Sequence, residues 1–600
     1  MPQSTQFPNL GLAALAQAYQ TTALQPLELL LQLRQQALAL SDKNLFIYLL
    51  SEAEIQHYTE ALAGRDPASL PLYGVPFAIK DNIDLAGVPT TAACPAFAYT
   101  PSVSAPLVQA LINAGAIPLG KTNLDQFATG LVGTRSPYGE VPNAFVPAYI
   151  SGGSSSGSAV ALALGLVSFA LGTDTAGSGR VPAALNNLIG LKPTKGLFST
   201  TGLTPACRSL DCISLFTLNC DDAADLFDRL ATFDATDAYA RPNTYTNRRR
   251  FYGATPECFT FGLLQFAAGE ISDDAQTAYT TAAEHLSAMG GKPVTLDFSP
   301  FAAAARLLYQ GPWVAERQLA TQGVAKNAML PVIQTILAGA EGQTAAHAFA
   351  AQYQLAALKR QCDQLLEGLD FVLTPTIPRA FTRAQIAADP IGCNSQLGTF
   401  TNFMNLLDYS ALAVPATFNA EGLPWGVTLF SHPCQDVKLL NFGRALHQLS
   451  GLPQGTSQHA PPQHALTPMA TPPGYIDLVV CGAHLNGQPL NWQLRERGAT
   501  LKAATTTAKG YRLFALPDGK RPALVRHPGT QAAIQVEVWT LPAHTLGTFV
   551  AAIPPPLGIG KTQLADGSWV TGFICEEQGL ADAQDITDYG GWRAWLAARG

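Results

Sequence analysis

Apolar and polar positions along the chain follow two different periods, and the period changes where the type of structure changes. Positions 23–40 carry leucines at helical spacing and predict an amphipathic opening helix. From position 72 onward short β-rich runs alternate with helical ones. Positions 75–80 read as a strand, 104–114 as a helix and 116–119 as a strand. That alternation predicts an α/β domain with a central sheet. The apolar run 159–171 is broken by Gly165 and Ser168, so it reads as a buried element too short to span a bilayer. Helical periodicity returns at 273–286, 331–337 and 345–366.

At 453–473 the pattern stops. The segment PQGTSQHAPPQHALTPMATPP is rich in Pro, Gln and Ser/Thr and predicts an interdomain linker. After it, 476–482, 511–516, 534–541 and 569–575 read as strands. The expected organisation is a domain at 1–452, a linker at 453–473 and a small β-rich domain at 474–600.

Composition narrows the class. Six hundred residues exceed what one compact core organises. With 47% hydrophobic and 13% charged residues the chain reads as globular. A net charge of −7 with no basic block argues against nucleic-acid binding. Positions 1–19 lack a basic stretch followed by an apolar run, so no secretory signal is expected. Ten scattered cysteines without a CxxC pair or metal-like spacing predict free thiols in a reducing cytoplasm, with a structural zinc as the alternative.

Three short segments carry the candidate chemistry: GVPFAIKDN (74–82), SGGSSSGSA (151–159) and LGTDTAGSGRVPA (171–183). A serine hydroxyl needs a neighbour to take its proton, and a lysine serves only when neutral. Lowering a lysine from its ordinary value of about 10.4 to near 7 costs about 4 kcal/mol, which burial can supply. Lys80 follows Val75, Pro76, Phe77, Ala78 and Ile79, which suits burial; a surface lysine paired with Asp81 is the plain alternative. Around Ser178, small residues permit a sharp turn whose free N–H groups can face an oxyanion; an ordinary Gly/Ser loop is the alternative. Gly153–Gly157 also fits the G-x-S-x-G nucleophile elbow. That elbow needs a preceding strand, whereas 143–150 contains a proline and reads as loop; its partners would be residues such as Asp211 and His285. The stretch 558–562 fails as a phosphate loop, because position 555 is Pro555.

Together the three segments resemble the amidase signature family. Lysine, first serine and second serine fall in the family's order, 74 and 24 residues apart, and LGKTNLDQF (119–127) resembles a segment bordering the family's active site. The resemblance is close over 72–193 and extends more loosely to about 450. It implies an α/β amidase signature fold, a central mixed sheet flanked by helices. It implies a Ser-Ser-Lys triad with Ser178 as nucleophile and Ser154 relaying its proton to neutral Lys80. The backbone N–H groups of Thr175, Ala176, Gly177 and Ser178 would form the oxyanion hole, and the Gly153–Ser154 peptide would be cis.

The stretch YQGPWVAER (309–317) looks like a subgroup in which a tyrosine and an arginine bind a small anionic substrate. An arginine grips a carboxylate through two parallel hydrogen bonds. Tyr309 and Arg317 take those roles by resemblance; a surface Arg317 between solvated Glu316 and Gln318 is the alternative. QFATGLVGTRSPY (126–138) adds Gly130 and Thr134 as contact candidates. The segments VCGAHLNG (480–487) and VEVW (536–539) resemble the subgroup's C-terminal domain, whose fold is similar to γ-glutamyl cyclotransferases. There His484 and Glu537 serve either in acid–base chemistry or in bonding a turn and capping a barrel opening.

The activity so implied is hydrolysis of the terminal amide of a small carboxylate, releasing ammonia, without a metal or organic cofactor. A neutral amide substrate and a non-enzymatic binding platform are the other readings. The resemblance also implies a cytoplasmic homodimer, associated with a biotin-dependent urea carboxylase or with cyanurate-pathway enzymes; any biotin would belong to the partner.

Overall fold

In the computed structural model the described residues are 9–253, 255–256, 258–267, 269–463, 471 and 474–599. They divide into two compact units: Met1–Arg249 with Phe259–His464, and Arg250–Cys258 with Ala465–Gly600.

The first unit is built on one mixed sheet of eleven strands. In chain order these are β1 (Phe46–Leu49), β2 (Pro76–Lys80), β3 (Ile117–Thr122), β4 (Phe169–Asp174), β5 (Ile189–Lys192), β6 (Cys212–Thr217), β7 (Phe259–Leu264), β8 (Gly291–Leu296), β9 (Phe371–Pro375), β10 (Ser410–Phe418) and β11 (Pro424–Ser431). Across the sheet they lie in the order β1-β3-β2-β4-β6-β5-β10-β11-β9-β7-β8. β2 runs parallel to both β3 and β4, and β7 runs parallel to β8 and β9. The remaining pairings are antiparallel. Every residue of β2, β3 and β4 is buried, as expected of strands covered on both faces.

The flanking helices follow the predicted periodicities. The helix expected at 23–40 is Pro26–Ala39, but it does not open the fold: Leu12–Gln20 precedes it and buries Leu12, Leu15 and Tyr19. Pro26–Ala39 has proline at its first position, where the missing N–H costs nothing. Its leucines Leu29, Leu30 and Leu33 are buried. Pro106–Asn113 leads into β3 and buries Leu107, Val108 and Leu111. The apolar run at 159–171 divides into the helix Ser156–Ala163 and the strand β4, with the turn at Gly165 between them.

The second unit holds a five-stranded and a three-stranded sheet. Its strands are β12 (Tyr475–Val480), β13 (Thr500–Thr506), β14 (Tyr511–Ala515), β15 (Pro522–Arg526), β16 (Gln535–Pro542), β17 (Leu557–Gln563), β18 (Trp569–Cys575) and β19 (Gln584–Asp585). The larger sheet runs β13-β16-β12-β18-β17 and the smaller β15-β14-β19. Leu478, Val480, Trp539, Trp592 and Trp595 belong to its core. Of the expected linker, residues 464–470, 472 and 473 lie outside the described residues. Its opening residues bond to the first unit: Asn187 Nδ2 donates to Pro453 O at 2.7 Å, and Thr456 N donates to Ala163 O at 2.9 Å.

The helix Ser156–Ala163 enters the fold through a gap with no spare volume. A Cβ on Gly157 would sit 2.3 Å from Leu45 O and 2.7 Å from Asn123 N, both backbone atoms. Gly157→Ala is therefore expected to destabilise by about 1–3 kcal/mol, read as a lower thermal midpoint. Gly547→Ala serves as a control: it lies in the helix Ala543–Val550 with nothing within 4 Å of the added carbon. That control should leave the midpoint unchanged or raise it, since alanine is the better helix former.

Candidate active site

Parallel strands bring the C-terminal ends of β2 and β4 to the same edge of the sheet, the place where open α/β sheets gather their sites. Ile79 pairs with Leu171, so Lys80 at the end of β2 lies beside the last residues of β4. Its ammonium reaches Thr173 Oγ1 at 2.6 Å, Ser154 Oγ at 2.8 Å and Ser155 Oγ at 2.9 Å. Both serines come from the loop that feeds the helix Ser156–Ala163. Lys80 is fully buried, and Asp81 faces Lys121 at 3.4 Å instead. The alternative of a surface Lys80–Asp81 pair is thereby set aside, because the strand turns the two side chains to opposite faces.

The turn after β4 is tied by one carboxylate. Asp174 accepts Arg180 Nε and Nη2, each at 2.8 Å, and the N–H groups of Gly177 at 2.9 Å and Gly179 at 3.0 Å. Burial alone would push this carboxyl up; Arg180 beside it holds it below the usual carboxylate range. Gly177 has φ +136°, a conformation that favours glycine. The turn brings Ser178 to Ser154, whose Oγ donates to Ser178 Oγ at 2.9 Å. The Gly153–Ser154 peptide is cis. One expectation is corrected here. The Gly177 amide is already bonded to Asp174, so it is not available to an oxyanion. Among the described residues the amides of Thr175, Ala176 and Ser178 donate to no acceptor.

Burial brings Lys80 down to about 7, against the pull of Asp125, Asp211 and Asp174. Asp125 is held by the amides of Val132 and Gly133, each at 3.1 Å, and of Arg135 at 2.9 Å, while its own N–H donates to Ser154 O at 3.1 Å. Asp211, pushed up to about 6 by burial, accepts the Thr175 hydroxyl and the amides of Ala206 and Cys207. The nucleophile-elbow reading finds no geometry. Ser155 is engaged with Lys80 and Thr173, Asp211 bonds Thr175 in the turn after β4, and His285 lies on the helix Asp273–Ala288.

Arg317 is 2% exposed on the helix Trp313–Ala320, not on a solvated face. Its guanidinium lies 5.2 Å from the Tyr309 ring centre, and Nη1 donates to Thr129 Oγ1 at 3.1 Å. Among the described residues Nε and Nη2 have no partner. Glu316 is half-buried: it accepts Ser209 N at 2.7 Å and Ser209 Oγ at 2.6 Å, and Cys207 Sγ lies 3.1 Å from it. Cys207 and Asp211 thus connect the Arg317 helix to the turn that carries Ser178. Gly130 packs under Asp125 and Arg135; a Cβ there would meet Asp125 Oδ2 at 2.6 Å. Thr134 is half-buried on the same loop. Sequence reasoning missed Thr129, Arg135 and Thr173. Nothing local marks them; strand register and loop closure bring them to the site.

In the second unit His484 stacks on Phe573 at 5.3 Å between ring centres, and its Nε2 shares a 3.0 Å hydrogen bond with Gln493 Oε1. Burial lowers its basicity. It lines a cavity of about 110 Å³ with Cys481, Gln493, Arg521, Phe549 and Phe573. Glu537 is not among the lining residues. It accepts Asn486 N at 2.7 Å, Trp539 Nε1 at 3.0 Å and Arg593 Nη2 at 2.7 Å, and so ties a turn and the last helix to β16.

A buried lysine bonded to Ser154, which in turn bonds a serine on an amide-rich turn, is an arrangement of the amidase type. The chain belongs to the amidase family, whose model matches residues 28–440. Residues 476–597 match the model of the allophanate hydrolase C-terminal domain. The urea amidolyase of Saccharomyces cerevisiae is 44% identical over 92% of this chain and 31% of its own length. The allophanate hydrolase of Kluyveromyces lactis superposes with a TM-score of 0.79 at 38% identity, over 98% of this chain and 99% of that one. The K. lactis urea amidolyase gives a TM-score of 0.78 at 38% identity, over 98% of this chain and 37% of that one. The chain therefore spans about a third of the length of the urea amidolyases it matches.

A base at about 7 predicts the pH profile. Below that value Lys80 is protonated and cannot accept a proton. On any amide the chain turns over, kcat/KM should rise with pH to about 7 and level off above it. Lys80→Met should lower kcat by about 10²–10⁴ and remove that limb of the profile.

Proposed function

We propose that the chain hydrolyses allophanate, a urea that carries a carboxylate on one nitrogen, at its terminal amide. The observation that carries this reading is Arg317: a buried guanidinium with two unpartnered N–H-bearing nitrogens over the Tyr309 ring, joined by bonded residues to the Lys80–Ser154–Ser178 chain. An unpaired buried cation is costly and calls for an anion. The likeness to the K. lactis allophanate hydrolase, over nearly its whole length, supports the same substrate.

In this reading Ser178 Oγ attacks the terminal amide carbonyl. Its proton passes to Ser154 as the Ser154 proton passes to neutral Lys80. The amides of Thr175 and Ala176 face the developing oxyanion, with that of Ser178. Arg317 holds the substrate carboxylate and Tyr309 orients it, with Gly130 and Thr134 on the neighbouring loop. The relay returns a proton to the leaving nitrogen, and ammonia departs. Water, deprotonated by the same relay, then releases the acyl group as a dicarboxylated amine, which loses carbon dioxide. The end products are ammonia and carbon dioxide. In the second unit His484 is an acid–base candidate for handling that product, and Glu537 a structural tie.

The wider proposal is a cytoplasmic homodimer organised as 1–452, 453–473 and 474–600. Its substrate comes from a biotin-dependent urea carboxylase or from a cyanurate route. The urea amidolyase relatives support the urea carboxylase source.

Ammonia release from allophanate by the purified chain tests the reading, with Ser178→Ala as the inactive control. Arg317→Ala should raise KM for allophanate at least about 10-fold, since a hydrogen bond to a charged group is worth about 1.5–3 kcal/mol. Loss of neutral-amide turnover in step with allophanate turnover, or no release of ammonia by the parent chain, would overturn it.

A further inference from the structure

Two buried arginines meet on one threonine. The backbone oxygen of Thr129 accepts Arg135 Nη1 at 2.9 Å. Its hydroxyl accepts Arg317 Nη1 at 3.1 Å and donates to Phe127 O at 3.1 Å. Thr129 thus accepts from both arginines, each tethered to it by a terminal nitrogen. Arg135 Nη2 is held by Pro390 O, which leaves Nε unpartnered, as are Nε and Nη2 of Arg317. The two side chains are 4% and 2% exposed.

Among the described residues neither guanidinium has a carboxylate of its own in contact. The nearby acids are committed elsewhere: Asp125 to three backbone amides, Asp211 to Thr175 and two amides, Glu316 to Ser209 and Cys207. Two positive charges out of water with no paired anion are a poor arrangement for stability alone, and a good one for binding an anion from outside.

We propose that Arg135 is a second specificity-determining residue, which with Arg317 and the shared Thr129 forms a two-cation cradle selecting amides that carry a carboxylate. This inference rests on the anionic substrate proposed above. Arg317 supplies the free hydrogen-bond donors. Arg135 supplies a second charge in a region without water screening, and fixes the loop that fixes Thr129. The acyl group keeps its carboxylate while it is attached to Ser178, so the cradle acts in both half-reactions.

The test uses the full chain as Arg135→Met, Arg135→Lys and Thr129→Val beside the parent. KM and kcat are measured on allophanate. Protection of Ser178 by malonate against a neutral fluorophosphonate probe is measured in parallel. Arg135→Met should raise KM about 10-fold and weaken malonate protection to a similar degree, with a much smaller change in kcat. Arg135→Lys should recover most of both, because the charge returns without the planar fork. A KM and a malonate constant within about twofold of the parent, or a fall in kcat with KM fixed, would overturn the proposal. Should Arg135→Met not fold, Thr129→Val carries the test: unaltered malonate protection in that variant overturns it. If the parent releases no ammonia from allophanate, the proposed substrate fails, and the cradle is judged by malonate protection alone.

Discussion

The site depends on a lysine that is buried and yet kept from any carboxylate. Desolvation is what lowers Lys80 to about 7, and one ion pair in contact would undo it. The fold contains acids close enough to pull on it, namely Asp125, Asp174 and Asp211. Each is directed to another task. Asp174 is gripped by Arg180, Asp125 by three loop amides, and Asp211 by a hydroxyl and two amides. Even the sequence neighbour Asp81 is paired with Lys121 on the other side of the strand. Lys80 is left with three hydroxyls, groups that can accept from an ammonium and donate to an amine. A proton relay needs that reversibility.

The same carboxylates give the site its second property, a connection between its two ends. Asp125 joins the loop under Arg135 to the serine loop through Ser154 O. Asp211 joins the oxyanion turn to the segment that Glu316 clamps, one residue before Arg317. On the proposed reading, an anion seated on the arginines would press on a bonded framework that ends at Ser178. In such a framework the position of the scissile carbonyl is set by the far end of the substrate, which is how binding energy is used for orientation.

Much of this was legible in the residues. Lys80, Ser154 and Ser178 stand in segments whose order and small-residue content read as a relay. The strands at 75–80 and 569–575 and the helices at 273–286 and 331–337 match elements at those places. Arg317 was harder: flanked by Glu316 and Gln318, it looks like a solvated helix position. Only the packing of the helix Trp313–Ala320 against the 204–211 loop makes it a buried cation. Arg135 and Thr129 had no local signal at all, since an arginine in a Gly/Ser/Thr loop is ordinary until its partners are known.

Local chemistry is what the sequence by itself determined: which residues can turn tightly, which hydroxyls and which amine are present, and where apolar periodicity makes strand or helix. These properties act over a few neighbouring positions and need no distant partner. Tertiary structure alone decided which groups are charged, which N–H groups are free and which side chains meet. The parallel register of β2 and β4 places Lys80 beside Thr173, 93 residues away, and the closure of the 125–135 loop brings Arg135 and Arg317 to one threonine. Protonation and hydrogen-bond satisfaction are properties of an environment, and the environment of a buried group is assembled from segments that the chain order keeps far apart.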